Sequence, residues 1–98
     1  DNPPRAAEQV EEIVDTLAAL AHPVRLRIVE GLLTGDCGVG DIVDCLDLPQ
    51  PLVSRHLGVL REAGIVVAEK EGRRRHYRVV HPLAAAVVAA LPTPEEKP

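Results

Sequence analysis

The side chains best equipped for chemistry in this chain are cationic. Arg73, Arg74 and Arg75 stand in a row beside Gly72, and Ser54-Arg55-His56 lies upstream in a stretch with helical spacing. A guanidinium is permanently charged and offers a planar fork of donors that carboxylates and phosphates accept. Three of them at a turn suit no buried role, so their placement points to a polyanion. The other reactive side chains form no catalytic set. Ser54 and His56 are two apart, and helical neighbours at that spacing point in different directions. The chain has no glycine-rich phosphate loop and no supported Ser-His-Asp or Cys-His constellation, so an enzyme is not expected. Cys37 and Cys45 are separated by a helix-like stretch. Two turns of helix would hold their Cα atoms about 12 Å apart, beyond disulfide reach, and two small buried or half-buried thiols are expected.

The charge distribution strengthens the polyanion reading. The net charge is −4, yet residues 1–47 hold three Arg against ten Asp and Glu (−7), while residues 48–98 hold eight Lys and Arg against five Glu (+3). From Ser54 to His81 there are seven Lys and Arg against three Glu, or +4 before three His are counted. A basic segment on an acidic chain is the local footprint of a polyanion partner. At 98 residues one domain is expected. With Tyr77 the one aromatic and no Met, Phe or Trp, its core must be built from Leu, Val, Ile and Ala. No apolar run is long enough to span a bilayer and no signal segment is visible, so a cytoplasmic location without a membrane partner is expected.

The elements that position these residues follow from spacing and punctuation. Residues 1–4 and 92–98 are expected to be disordered, leaving residues 5–91 as the domain. From Arg5, apolar residues Val10, Ile13, Val14, Leu17, Leu20 and Ala21 recur at three- and four-residue spacing opposite Glu8, Glu11, Glu12 and Asp15. His22-Pro23 breaks that helix and starts a second, Val24 to Leu33, with Arg25, Arg27 and Glu30 toward water. A short third helix lies within Gly38 to Leu46. A fourth runs from Gln50 to Ala63, its core face Val53, Leu57 and Leu60, with Gly64 as the stop. Together the third and fourth match a helix-turn-helix unit. Ile65 to Lys70 and Arg74 to Val80 form a hairpin whose tip is Gly72-Arg73-Arg74-Arg75-His76. Pro82 opens a last helix, Leu83 to Leu91, made entirely of Leu, Ala and Val. A helix apolar on every side implies a subunit interface in so small a chain, and the first helix is its natural companion in a two-fold dimer. Val10, Ile13, Val14, Leu17, Leu83, Val87 and Leu91 are the expected interface residues. The fold class is therefore mainly α with a two-stranded β wing, a winged helix-turn-helix.

Three strings carry a family resemblance: Leu20-Ala21-His22-Pro23-Val24-Arg25-Leu26-Arg27-Ile28, Val53-Ser54-Arg55-His56-Leu57-Gly58-Val59-Leu60-Arg61-Glu62-Ala63-Gly64-Ile65-Val66, and Gly72-Arg73-Arg74-Arg75-His76-Tyr77-Arg78-Val79. In this order they resemble the ArsR/SmtB winged-helix transcriptional regulators, over most of the chain from Leu17 to Leu91. The resemblance implies a homodimeric repressor or activator on double-stranded operator DNA, an imperfect inverted repeat with half-sites about one helical turn apart. Recognition helices place N-terminal side chains in the major groove, so Gln50, Ser54 and Arg55 are expected at or near base edges, Arg55 clamping a guanine. His56 is expected at the DNA backbone, orienting its neighbours or as a purely structural histidine, Arg61 at a phosphate, and Arg73, Arg74 and Arg75 in a minor groove or on phosphates. Tyr77 is expected in the core.

Relatives often sense metals. The soft-metal Cys-x-Cys-Asp position reads Gly38-Val39-Gly40-Asp41 here, which removes both sulfur ligands. On the last helix only His81 survives as a ligand. A nickel or zinc site is expected, if at all, from His81 with Glu95 or Glu96, or from Asp15 and His22. Otherwise the signal comes through a separate sensor protein or through oxidation of Cys37 and Cys45, although Asp36, Asp41 and Asp44 around those thiols disfavour thiolate. The competing class is a winged-helix module whose basic wing grips an acidic protein partner.

Overall fold

The computed structural model describes residues 4–35 and 42–92, apart from the side chains of Glu71, Arg74 and Arg75. Its elements are α1 (Ala7–Leu20), α2 (Pro23–Thr34), α3 (Ile42–Leu46), α4 (Gln50–Glu62), β1 (Val66–Glu71), β2 (Arg74–Val79) and α5 (Pro82–Ala90). This is the expected order. The expected disordered ends lie outside the described residues, save Pro4 and Pro92.

Helix boundaries follow from local chemistry. The Gln9 side chain reaches back to accept the Ala6 N–H at 2.8 Å, satisfying one free donor at the start of α1. α2 and α5 begin alike: a histidine precedes a proline, and its Nδ1 accepts the N–H two residues on. His22 takes that of Val24 at 3.1 Å and His81 that of Leu83 at 3.2 Å. Each proline supplies a fixed φ at a position with no helical N–H to lose. Gly35 ends α2 in the left-handed conformation, φ 78°.

The core is one cluster of small aliphatic side chains. Ile28 and Val29 of α2, Val53 and Leu60 of α4, and Ile65 and Val66 at the start of the wing are almost fully buried, with Ala84 of α5 closing one end. The Val80 N–H donates to the Ile65 carbonyl at 2.8 Å and fastens the base of the hairpin. The strands pair antiparallel from Val66 opposite Val79 to Glu71 opposite Arg74. Tyr77 packs against the core as expected.

The sequence placed Arg73, Arg74, Arg75 and His76 together at the hairpin tip. The turn is tighter, with only Gly72 (φ 65°) and Arg73 unpaired, because Arg74 and Arg75 already oppose Glu71 and Lys70. α1 also departs from its stripe. It buries Thr16, Ala19 and Leu20 against the chain, while Val10, Val14 (55% exposed) and Leu17 face outward. α5 has one buried residue, Ala84; Leu83, Val87 and Leu91 are half-buried. In the interior of α4 stands Gly58, where glycine costs a helix about 1 kcal/mol against alanine.

Leu60 is fully buried, so Leu60→Ala should destabilise the fold by about 2–5 kcal/mol. Urea unfolding checks this as a lower midpoint at unchanged slope.

Candidate nucleic-acid interface

α4 divides into two faces. Val53, His56, Leu57 and Leu60 are buried, while Gln50, Pro51, Ser54, Arg55, Val59, Arg61 and Glu62 are exposed. The turn before it is set by Asp47 in a left-handed conformation (φ 55°) and by Pro49 and Pro51, which start the helix at Gln50. Four of the expected contact residues, Gln50, Ser54, Arg55 and Arg61, thus share the solvent side of one helix. Arg73 is exposed at the wing turn. The side chains of Arg74 and Arg75 lie outside the described residues.

His56 corrects the expectation of a DNA contact. It is 5% exposed, because three residues from Val53 and four from Leu60 it falls on the inner face. Its ring packs on that of His22 with centroids 4.3 Å apart. Arg25 Nη1 donates to His56 Nδ1 at 3.3 Å. Arg25, expected toward water, is half-buried, and the rest of its guanidinium donates to the Ala18 and Ala19 carbonyls. Those carbonyls close α1, where the helix dipole favours a cation. No spacing rule could have paired residues 25 and 56. The buried polarity of His56 is the consequence: burial, then His22, Arg25 and Arg55, hold its pKa below 6.5.

On the wing, Glu69 gathers positive charge. Its carboxylate accepts from Arg78 at 3.3 Å and lies 3.6 Å from His76. The Arg78 hydrogen bond, then the Arg78 charge, depress the Glu69 pKa against a small opposing effect of burial, with His76 adding to the depression.

Of the expected metal ligands, His22 packs its ring at a tilt against that of His56. Asp15 lines a cleft of about 410 Å³ with His81, Glu12, Thr16, Glu62 and Ala63. His81 is already engaged there, its Nδ1 by the Leu83 N–H and its Nε2 3.5 Å from the Thr16 hydroxyl. Among the described residues no three His, Cys, Asp or Glu lie close enough to hold a metal ion. Glu95, Glu96 and the Gly38-Val39-Gly40-Asp41 stretch lie outside the described residues.

The cysteines also depart from expectation. Cys45 is disulfide-bonded, and the sequence offers it one partner within the chain, Cys37, outside the described residues. The expectation of two separate thiols rested on helix throughout the stretch between them, of which the described part is α3, Ile42–Leu46. No helix of the described residues is long and apolar enough to cross a membrane.

A helix-turn-helix with a polar outer face, followed by a hairpin and a dimer-type helix, defines a winged-helix DNA-reading domain. The family model described as bacterial regulatory protein, arsR family, matches residues 22–67. The biofilm growth-associated repressor of Agrobacterium fabrum is 40% identical over 88 residues, covering 90% of this chain and 75% of that protein. The transcriptional repressor SmtB of Mycobacterium tuberculosis is 44% identical over 90 residues, 91% of this chain; the chain spans 65% of its length. The homodimeric winged helix-turn-helix DNA-binding domain of Mb0332 from Mycobacterium bovis superposes with TM-score 0.74 at 28% identity, covering 90% and 82% of the two chains. The chain belongs to the arsR family, whose members are DNA-binding transcriptional regulators and not enzymes.

A neutral His56 is required for Arg25 to donate to it. A histidine with a depressed folded pKa contributes stability that is present above its ordinary value of 6.5 and is lost as pH falls through the lowered value. Lowering the pH from about 8 to about 5 should therefore reduce the urea midpoint more in the wild type than in His56→Gln, whose amide oxygen still accepts from Arg25. Parallel pH profiles would refute the assignment.

Proposed function

We propose that residues 5–91 form a homodimeric transcriptional repressor that reads an inverted-repeat operator, with α4 in the major groove and the wing on the flanking backbone. The observation that carries this reading is the split of α4: its inner face is committed to core, and its outer face presents Ser54, Arg55 and Arg61 with no partner in the described chain's core. Arg55 would take base edges and Arg61 and Arg73 phosphates, with Arg74 and Arg75 continuing that basic run. The exposed stripe Val10, Val14 and Leu17, with Ile13, Leu83, Val87 and Leu91, supports a dimer through α1 and α5. The Mycobacterium bovis relative is homodimeric, which agrees.

For the signal, the observation with weight is the disulfide at Cys45. Cys45 lies in α3, whose Ile42 and Val43 line a cleft with Val53, Ser54 and Leu57 of α4 and with Tyr77. A change of thiol state at α3 therefore acts on the support of the reading helix, which favours a thiol-responsive regulator over one responsive to nickel or zinc. The separate-sensor expectation rests on sequence alone.

The test of the operator reading is selection of a duplex from a random pool, followed by titration at several salt concentrations. Affinity should fall steeply between about 50 and 200 mM salt. Arg55→Ala should cost about 1–3 kcal/mol on the selected duplex and relax its sequence, whereas Arg73→Ala should weaken all duplexes evenly and lower the salt slope. Binding to no duplex would leave a protein-association module instead.

The thiol reading is tested by measuring affinity for that duplex with and without dithiothreitol, in the wild type and in Cys45→Ser. A redox-dependent affinity of about fivefold or more, absent from the variant, is expected. Equal affinities in both states would remove it.

A further inference from the structure

We propose that Gly58 is a specificity-determining position, the place where DNA approaches the backbone of α4 more closely than any side chain would permit. The inference rests on the operator reading given above and adds a residue to it.

Gly58 is half-buried, and nothing among the described residues requires glycine there. Its backbone is ordinary helix; the glycines with positive φ among the described residues are Gly35, Gly64 and Gly72. A Cβ built on it would meet nothing within 4 Å, so no neighbour needs the space. Glycine is nonetheless the costliest residue after proline in a helix interior. That weak point falls in the middle of the reading helix, one turn on from Ser54 and Arg55 and one turn before Glu62. It lies on the side away from Val53, His56, Leu57 and Leu60, all of which are buried.

Something outside the chain must therefore explain the missing side chain, and a duplex on this face supplies the explanation. A helix enters the major groove until its outermost atoms meet base edges, and a bare Cα lets it sit deeper. Glu62, on the same side farther along, would meet phosphates of like charge if the helix lay parallel to the groove floor. The helix must therefore tilt its N-terminal half inward, and Gly58 then marks the deepest point reached beyond Arg55. Val59, 37% exposed beside it, gives that point an apolar flank.

The test uses the full chain with Gly58→Ala and Gly58→Leu, and the duplex selected by the wild type. Gly58→Ala should raise the melting temperature by about 2–6 °C, because it adds helix propensity and no clash. It should also lower affinity for the selected duplex about fivefold or more, and Gly58→Leu by a further tenfold or so, with a smaller loss on random duplex. Unchanged affinity with a raised melting temperature would overturn the proposal while leaving the operator reading intact. A lowered melting temperature would also overturn it, since the chain itself would then need the glycine. If the wild type selects no duplex, the operator reading fails first and this inference with it.

Discussion

One guanidinium joins the three parts of the molecule that must move as a unit. Arg25, in the first turn of α2, donates to the carbonyls that end α1 and to the buried ring nitrogen of His56 on α4. Each partner would be costly to leave alone. Helix-terminal carbonyls lack intrahelical donors, and a buried imidazole nitrogen without a partner pays its full desolvation. A single side chain satisfies both, so the helix that carries the exposed apolar stripe and the helix that carries Arg55 cannot shift independently without exposing an unpaired polar group. His22 completes the arrangement from the other side. Its ring packs on His56 while its Nδ1 starts α2, which fixes Arg25 in place.

The composition explains why the rest is shared between copies. A core without Phe, Trp or Met, made of Leu, Val, Ile and Ala, buries little area per side chain, and a chain of 98 residues has few of them to spend. Yet Val10, Val14 and Leu17 stay outside it, and α5 buries only Ala84 completely. Apolar surface of this kind is stable in water only if something covers it. The family's dimeric architecture meets that need, and ties reading-helix spacing to the same surface through α1 and Arg25.

Much of this was legible in the sequence because it is local. The order of elements followed from periodicity, from His-Pro at two helix starts, and from Gly35, Gly64 and Gly72 at the turns. The exposed residues of α4 followed from helical spacing alone. What escaped was non-local or cooperative. His56 left more than one role open, because no spacing rule reveals the cation 31 residues away that makes its burial tolerable. Thr16 is not part of the apolar stripe, yet it is buried, with its hydroxyl donating to the Glu12 carbonyl one turn back. The wing arginines read as one tip because a hairpin's register depends on where its two strands meet, and the Glu71–Arg74 pair sets that one residue beyond Arg73. The disulfide at Cys45 was missed because the separation of the two thiols was taken from ideal helix geometry.

The electrostatics fit a reader of specific sites better than a general DNA binder. Nonspecific affinity comes from cations facing phosphates and from little else. This chain limits that supply: Glu69 holds Arg78 and His76 on the wing, and Arg25 is spent inside. The exposed Glu8, Glu11, Glu12 and Asp15 of α1 make that helix's surface acidic, so a duplex meeting it is repelled. In the proposed complex Arg55, Arg61 and Arg73 would count for most with α4 and the wing both seated, where base edges would also be within reach. Repulsion at α1 thus works as selectivity, because it lowers affinity for encounters that present this helix to the duplex in place of α4.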